Sequence, residues 1–237
     1  MFVLNEKTAL VTGGSRGIGR AIALRFASEG AHVVALARTM KDLESLDDAI
    51  NELGATATLV PLDVTDGPGI DRLAESLFKR HGRLDVLIGN AAILGVLSPT
   101  GHFAPSVWSR VIEVNLTANW RLIRSFDPLL RASDAGRAVF VTSGVGQKVI
   151  PYWGAYAVSK AGLEMLVKTY AAETEKTTLR VNIVNPGAVR TEMRAKAMPG
   201  EDPDSLIRPE AMVDVFVELS LVSCRHHGEV IAAQMSD

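Results

Sequence analysis

Three side chains in the second half of the sequence have the spacing of a site that donates a proton to a carbonyl oxygen. Tyr156 and Lys160 are four residues apart, so a helix would place both on one face, where the ammonium is expected to lower the pKa of the phenol. Hydride addition to a carbonyl leaves an alkoxide, which needs a proton donor and a fixed dipole beside it. We assign Tyr156 as the donor and Ser143, expected at a strand end, as the group that holds the substrate oxygen.

A glycine-rich turn near the start of the chain predicts a dinucleotide site. Gly13, Gly17 and Gly19 lie between an apolar run and an amphipathic stretch, where missing side chains would let backbone amides and a helix N-terminus approach a pyrophosphate. The turn lacks the Lys-Ser/Thr pair of a Walker A loop, which disfavours direct ATP or GTP chemistry. Taken alone, its loose glycine spacing also fits a purely structural turn.

The elements that must position these residues follow an alternating pattern. Short apolar runs alternate with amphipathic stretches, as in βαβ units, so we predict an α/β fold. We expect a doubly wound Rossmann-type parallel sheet of about seven strands flanked by helices, as a single domain over residues 1–237. Strands are predicted at 7–11, 31–37, 55–61, 84–88, 137–142, 179–184 and 228–232, and helices at 66–81, 105–114, 116–132 and 152–176. The irregular, proline-containing stretch at about 187–209 is expected to be a mobile substrate cover.

Further motifs in the same order resemble the short-chain dehydrogenase/reductase family of compact, single-domain proteins. They are Thr12 to Gly19, Asp63-Val64, Asn90-Ala91-Ala92, Asn115, Ser143, Tyr156 to Lys160, and Pro186-Gly187 followed by Thr191. The resemblance implies a nicotinamide cofactor and the catalytic residues Asn115, Ser143, Tyr156 and Lys160. It gives Lys160 a hydrogen bond to the nicotinamide ribose and gives Asn115 a water that relays protons from that lysine. The chain is also similar to a bacterial subgroup whose members have no assigned substrate.

The resemblance, together with the glycine turn, implies the cofactor contacts. These are Gly13, Ser15, Arg16, Gly17, Ile18, Gly19, Arg38, Asp63, Val64, Asn90, Ala91, Ala92, Tyr156, Lys160, Pro186, Gly187, Val189 and Thr191. We expect NADP(H) rather than NAD(H). NAD-preferring proteins place a carboxylate at this position to accept hydrogen bonds from the adenosine ribose hydroxyls, and here the residue is Ala37. Arg38 and Arg16 are placed to pair with a 2′-phosphate.

The residues expected around the substrate are mainly apolar. They are Ile93, Leu94, Val145, Gln147, Val149, Tyr152 and Met193. A wall without a charged clamp favours a neutral ketone or aldehyde, or the corresponding alcohol, over a keto acid. Two departures from the family pattern are Ala92, where glycine is usual, and a C-terminus without the Val-Asp-Gly-Gly ending.

Composition excludes several other functions. The formal net charge of −2 gives no basic stripe for nucleic acid, and the single cysteine, Cys224, allows no intrachain disulfide. The sequence has no run of 18 apolar residues, and His226-His227 lacks a third ligand, so we expect no membrane contact and no metal. We predict a cytoplasmic homodimer or homotetramer acting on a small-molecule carbonyl or alcohol.

Two alternatives stay open at the level of the sequence. A 3-oxoacyl thioester reductase would need a basic patch for an acidic carrier protein, and Arg121 and Arg124 are the only hint of one. A non-catalytic, NADP-sensing regulatory protein would be expected to lack Tyr156 or Lys160, and both are present. The substrate, the direction of the reaction and the number of subunits are not determined by these motifs.

Overall fold

A seven-stranded parallel sheet is the centre of the computed structural model, which describes residues 2–234. Its strands are β1 Thr8–Thr12, β2 His32–Ala37, β3 Ala57–Pro61, β4 Val86–Gly89, β5 Arg137–Val141, β6 Arg180–Asn185 and β7 Val230–Ala232. Their order is β3-β2-β1-β4-β5-β6-β7, and every pair is parallel. The predicted doubly wound sheet is therefore confirmed.

Helices cover both faces of this sheet. They are α1 Gly17–Ser28, α2 Met40–Glu52, α3 Gly67–His81, α4 Pro105–Ile112, α5 Ala118–Ala132, α6 Gly154–Thr174, α7 Glu192–Ala197 and α8 Asp214–Ser220. Along β1, Ala9 and Val11 pack into the core beneath α1, α2 and α8, whereas Leu10 packs beneath α3, α5 and α6. Successive strand residues point to opposite faces, so a strand buried on both faces reads as a continuous apolar run.

The motifs found in the sequence gather at one edge of the sheet. The glycine turn follows β1, Asn90 follows β4, Ser143 follows β5 and Pro186 follows β6. The carboxyl ends of parallel strands lie at the same edge, and the order of connection reverses between β1 and β4. Ligands of such sheets bind in the crevice at this reversal, which is where the glycine turn lies.

Several predicted boundaries are wrong for identifiable reasons. Tyr152 has a φ of +74°, in the left-handed region that a helix cannot contain, so α6 begins at Gly154 rather than at residue 152. The middle helices, predicted as 105–114 and 116–132, are joined by a π-helical turn over Glu113–Thr117 that carries Asn115. The last strand is shorter than predicted and begins at Val230. Within residues 2–234 no helix is both long and apolar enough to cross a bilayer.

The unusual C-terminal segment packs against the Pro-Gly turn after β6. Gln234 Nε2 donates hydrogen bonds to the carbonyl oxygens of Pro186, at 2.6 Å, and Ala188, at 3.1 Å. This contact stabilises the turn from the side where the family ending is missing. The remaining residues of this unusual C-terminus, 235–237, lie outside the described residues.

Two histidines at the opposite edge of the sheet predict a dependence of stability on pH. The rings of His32 and His81 lie 5.7 Å apart, and His81 Nε2 is buried with no hydrogen-bond partner in the described chain. Burial lowers the pKa of both below the ordinary 6.5, and neighbouring positive charge, Arg80 for both, adds to this effect. Near pH 6.5 the two histidines therefore bind protons more tightly in the unfolded chain than in the folded chain. The free energy of unfolding falls as the pH drops through 6.5.

We expect the melting temperature to fall between about pH 7 and pH 5, and to fall less when both residues are replaced by glutamine. Thermal unfolding of the two proteins across this range measures the difference. Identical slopes would show that these rings are not the source.

Candidate active site

A threonine at the end of β1 clamps the two strands that flank the crevice. Thr12 Oγ1 donates to the carbonyl of Ile88 at 3.1 Å and accepts from the amides of Asn90, at 3.0 Å, and Ala91, at 3.1 Å. Asn90 Nδ2 returns a hydrogen bond to the Thr12 carbonyl at 2.9 Å. The sequence indicated Asn90 and Ala91 as cofactor contacts but not this role of Thr12, although a hydroxyl at the end of an apolar strand was a usable signal.

The glycine turn is packed too closely for side chains. A Cβ at Gly19 would lie 2.2 Å from the carbonyl oxygen of Gly13, and Gly13 and Gly17 have positive φ angles of 66° and 54°. No side chain within residues 2–234 caps α1, so the amides of its first turn face the crevice uncapped. A turn with these properties fits the pyrophosphate of a dinucleotide. Ser15 and Ile18, the other predicted contacts in the turn, are half-buried there.

The two arginines predicted to select NADP(H) differ in their surroundings. Ala37 ends β2 in the core, and Arg38, which follows it, is exposed. Arg16 donates to Glu192 Oε2, on α7, at 2.6 Å. Both partners are more than half exposed, and a pair of this kind contributes little free energy, so a phosphate could readily displace Glu192. This pairing could not be predicted from the sequence, because the two residues are 176 positions apart.

Asp63 is held by a network that the sequence did not reveal. Its Oδ1 accepts from the amide and the hydroxyl of Thr65, at 2.9 and 2.8 Å, and its Oδ2 accepts from Arg110 at 2.9 Å. Burial by itself would raise the pKa of Asp63, but these hydrogen bonds outweigh it and lower the pKa. Asp63 therefore stays ionised at neutral pH as a fixed acceptor beside Val64, which is buried.

Tyr156 and Lys160 are buried side by side on the inner face of α6. Tyr156 is 7% exposed and Lys160 is 2% exposed. Lys160 Nζ donates to the carbonyl of Val141, at the end of β5, at 2.7 Å, and lies 5.7 Å from the centre of the Tyr156 ring. The predicted common helix face is present, and it brings both groups to the strand end that carries Ser143.

The pKa of Tyr156 moves opposite to our expectation. Burial raises the pKa of Tyr156 to about 12, and the nearby Ser143 hydroxyl only partly opposes it. Burial also lowers the pKa of Lys160 to about 8, with Glu164 acting against that shift. The expectation that Lys160 depresses the phenol's pKa is wrong for this arrangement, because the ammonium is bonded to a backbone carbonyl and desolvation dominates. At neutral pH the phenol is a firmly protonated donor.

Asn115 braces the site through its side chain. Its Nδ2 donates to the carbonyl of Ile93 at 2.9 Å and to Ser159 Oγ at 3.0 Å, and its Oδ1 accepts from the Ile93 amide at 2.9 Å. Ser159 in turn donates to the carbonyl of Tyr156 at 2.7 Å. The side chain therefore ties the loop after β4 to α6. All three of these bonds go to protein atoms.

Part of the predicted substrate wall closes around Tyr156. A small apolar cluster consists of Val145, Trp153, Tyr156 and Ala197, with Leu94, Leu97, Ala157 and Met193 packed against it. Leu94, Val145 and Met193 were predicted from the sequence, and Ala197 lies in the predicted cover, whereas Trp153, Leu97 and Ala157 were missed. A tryptophan in a turn carried no pattern that pointed to the site.

The other predicted wall residues lie elsewhere. Val149 is fully exposed and Tyr152 is 59% exposed, so they form an outer rim. Gln147 Nε2 donates to Glu164 Oε2 at 2.9 Å, which turns its amide nitrogen away from a substrate. The backbone amide and carbonyl of Ile93 are both hydrogen-bonded to the Asn115 side chain.

The cover, residues 187–209, lies against both the glycine turn and the apolar cluster. Thr191 caps α7 by accepting from the Arg194 amide at 3.2 Å, and its Cγ2 would lie 3.5 Å from a Cβ on Gly17. Val189 is 3% exposed and forms a bridge with Ile207. The predicted contacts after Pro186-Gly187 are thus brought to the glycine turn.

Comparison with known proteins places this site in a family. The family model for short chain dehydrogenases matches residues 7–202. An uncharacterized oxidoreductase of Escherichia coli K12, YciK, is 39% identical over 220 residues, which are 92% of this chain and 87% of that protein. A short chain dehydrogenase from Shigella flexneri, solved in complex with NADP, has a TM-score of 0.95 and 37% identity over 99% of both chains. One from Escherichia coli CFT073, solved with NADPH, has a TM-score of 0.95 and 38% identity over 99% of both. The chain belongs to the short chain dehydrogenase family.

Proposed function

We propose that this oxidoreductase is an NADP(H)-dependent carbonyl reductase, with Tyr156 as its proton donor. The observation that supports this most is the buried phenol of Tyr156, close to the Ser143 hydroxyl and inside an apolar cluster at the crevice of the sheet. The phenol is protonated at neutral pH, which is the state required of a group that donates a proton to an alkoxide.

The chain's own residues supply everything except the hydride. The Ser143 hydroxyl holds the carbonyl oxygen, and the hydroxyl of Tyr156 gives that oxygen its proton as negative charge develops. Lys160 binds the nicotinamide ribose in this proposal and keeps a positive charge near the phenol. Bound NADPH supplies the hydride. The apolar cluster around Tyr156 excludes water from the reacting atoms.

NADP(H) is the cofactor, as it is in the two structures solved with NADP and NADPH. We expect NADPH to bind at least about tenfold more tightly than NADH, because Arg16 and Arg38 are available to a 2′-phosphate and Ala37 presents no carboxylate. Fluorescence titration of the two cofactors measures the ratio. The Arg38→Ala variant should lose most of this preference, and an exposed arginine on α3, Arg72→Ala, serves as the control. Equal affinities in the parent protein would refute the assignment.

The substrate class in this proposal is a neutral, bulky, apolar ketone or aldehyde. The groups around Tyr156 are apolar, and large apolar side chains continue outward from the same segments. Val96 follows Leu94, Tyr152 precedes Trp153 and Met198 follows Ala197, and all three are exposed. The amide of Ser98 donates a hydrogen bond to the carbonyl of Tyr152 at 2.9 Å, which joins the two loops.

A screen of NADPH oxidation tests this function. Candidate substrates are small and bulky ketones, aldehydes, keto acids and acetoacetyl thioesters at equal concentrations. We expect the highest kcat/KM for bulky apolar carbonyls and none for charged keto acids. The absence of turnover with every carbonyl, while NADPH still binds, would instead support a cofactor-sensing protein.

The thioester reductase alternative loses its one supporting feature. Arg121 is paired with Glu113, and Arg124 donates to both carboxylate oxygens of Asp71 at 2.6 Å. Arginines neutralised in this way do not form a basic patch for an acidic carrier protein. We therefore do not favour an acyl-carrier substrate.

We also propose that the cover is mobile and is ordered in two steps. Beside the Val189–Ile207 bridge, the cover is held by two ion pairs, Arg190 with Asp204 and Arg194 with Glu201. The more exposed pair, Arg190 with Asp204, contributes little free energy. NADP(H) is expected to tether the end at Thr191, and an apolar substrate to hold Met193. Hydrogen exchange within 190–206 should slow with NADP(H) and slow again with substrate, whereas exchange in α3 should not change. Full protection without ligand would identify the segment as a fixed wall.

A homodimer or homotetramer is part of the same proposal. Trp120 on α5 and Met165 on α6 are exposed on neighbouring helices, at 46% and 67%. Exposed large apolar side chains of this kind favour burial between copies of the chain. Light scattering of the purified protein separates monomer, dimer and tetramer.

A further inference from the structure

A buried glutamate on α6 has no part in the mechanism described so far. Glu164 lies one helical turn beyond Lys160 and is 6% exposed. Its Oε1 accepts from the Thr142 hydroxyl at 2.7 Å, and its Oε2 accepts from Gln147 Nε2 at 2.9 Å. Burying a carboxylate costs free energy unless hydrogen bonds and opposite charge compensate that cost. The two hydrogen bonds to Glu164 supply part of this compensation.

Glu164 supplies the opposite charge that the Lys160 ammonium otherwise lacks. The ammonium of Lys160 is bonded to the neutral carbonyl of Val141, at 2.7 Å. The groups beside it are Tyr156 and Glu164 on α6 and the carbonyl of Val141 at the end of β5. Of these, Glu164 alone carries a carboxyl group. It is also the group that opposes the effect of burial on the pKa of Lys160.

The same carboxylate holds the segment that carries Ser143. Thr142 immediately precedes Ser143, and Gln147 ends the short turn Gly144–Gly146 that follows it. One side chain on α6 therefore binds this segment at both ends. The packing is close, since a Cβ on Gly146 would lie 3.2 Å from the Lys160 backbone. Any movement of Glu164 would shift Ser143 relative to Tyr156.

We propose that Glu164 is a positioning residue of the active site, whose carboxylate balances the buried charge of Lys160 and fixes the strand end that carries Ser143. This inference rests on the proposed function, because it assumes that Lys160 and Ser143 serve carbonyl reduction. Its electrostatic half can be tested without turnover, so its failure is distinguishable from failure of the proposed function.

Three variants separate the two halves of the proposal. Glu164→Gln removes the charge with little change in volume. Thr142→Val keeps the charge and removes one hydrogen bond to it. Glu173→Gln removes an exposed carboxylate from the same helix and is the control. Because the glutamine retains an oxygen that can accept from Thr142, we expect Glu164→Gln to fold.

The titration of Lys160 is the direct measurement. It can be followed through the carbon-13 resonance of its Cε, assigned by its loss in Lys160→Arg. We expect the midpoint to fall by about one pH unit in Glu164→Gln, since loss of a nearby opposite charge lowers the pKa of a buried lysine. Thr142→Val and Glu173→Gln should leave it unchanged. An unchanged midpoint in Glu164→Gln would overturn the electrostatic role, whatever substrate the enzyme uses.

Kinetics test the second role. In Glu164→Gln the loss of kcat at high pH should begin about one pH unit lower than in the parent, because Lys160 loses its proton earlier. In Thr142→Val we expect kcat to fall about threefold or more at every pH, with the KM for NADPH unchanged, because Ser143 is less well held. Parent kinetics in Thr142→Val would overturn the positioning role.

Discussion

Replacing Tyr156 by phenylalanine should lower turnover at least a hundredfold and leave the fold and the affinity for NADPH nearly intact. The change removes the proton donor alone, and general acid catalysis typically contributes a factor of about 10² to 10⁴. The ring would still fill the apolar cluster with Val145 and Trp153. Rates of NADPH oxidation with an accepted ketone, together with fluorescence titration of NADPH, measure the two effects separately.

Tyr170→Phe is a matched control for this experiment. Tyr170 lies on the same helix, is 4% exposed, and donates its hydroxyl to Asp127 at 2.7 Å, well away from the crevice. We expect Tyr170→Phe to retain its turnover and to lose only stability, by about 1 kcal/mol for one buried hydrogen bond. If Tyr156→Phe kept most of its activity, another acid would be responsible and our assignment would be wrong.

Replacing Gly19 by alanine should abolish cofactor binding under ordinary conditions. The new methyl would lie 2.2 Å from the Gly13 carbonyl oxygen and 2.5 Å from Asn90 Nδ2, so the turn and the clamp would have to move apart. A displaced turn no longer presents its amides to a pyrophosphate. We expect at least a hundredfold loss of NADPH affinity, or about 2.8 kcal/mol, since each factor of ten corresponds to about 1.4 kcal/mol.

Calorimetric titration with NADPH measures this loss, and Gly101→Ala is the control. A Cβ at Gly101 would meet no described atom within 4 Å, so that variant should bind NADPH as the parent does. Circular dichroism establishes whether Gly19→Ala is folded. Parent affinity in a folded Gly19→Ala would show that the cofactor does not use this turn.

The sequence predicted the fold well because its signals are local and repeated. Each strand is an apolar run buried on both faces, as Leu10 and Val11 illustrate in β1, and such runs alternate with helices. Alternation of this kind leads to a parallel sheet with its functional loops at one edge. The family assignment and the cofactor agree with the relatives for a related reason, since the residues that carry them form short contiguous motifs.

The features that were missed depend on contacts between distant parts of the chain. Glu192 meets Arg16, and Glu164 meets Thr142, only after the sheet has formed. The positive φ of Tyr152 ended a helix that the amino-acid pattern would have extended. The π-turn at Asn115 likewise leaves the apolar periodicity of the sequence unchanged, so it could not be predicted from that pattern.

The direction of the Tyr156 pKa shift could not be predicted from spacing. Four residues on a helix place Lys160 beside Tyr156, but they do not say how deeply the pair is buried. Burial turned out to dominate, and it raised the pKa of Tyr156 to about 12 while Lys160 turned to the carbonyl of Val141. A balance between desolvation and charge requires the three-dimensional surroundings of both groups.

Transfer of deuterium from the cofactor to a carbonyl tests the central claim most directly. The protein is incubated with a bulky apolar ketone and NADPH labelled with deuterium at the reactive carbon of the nicotinamide, on either face in separate samples. Mass spectrometry and NMR then locate the label in the product. We predict one deuterium on the carbinol carbon with one of the two labelled faces, and almost none in the same time with Tyr156→Phe. Tight binding of NADPH without transfer of label to any carbonyl, or equal transfer by Tyr156→Phe, would contradict the account.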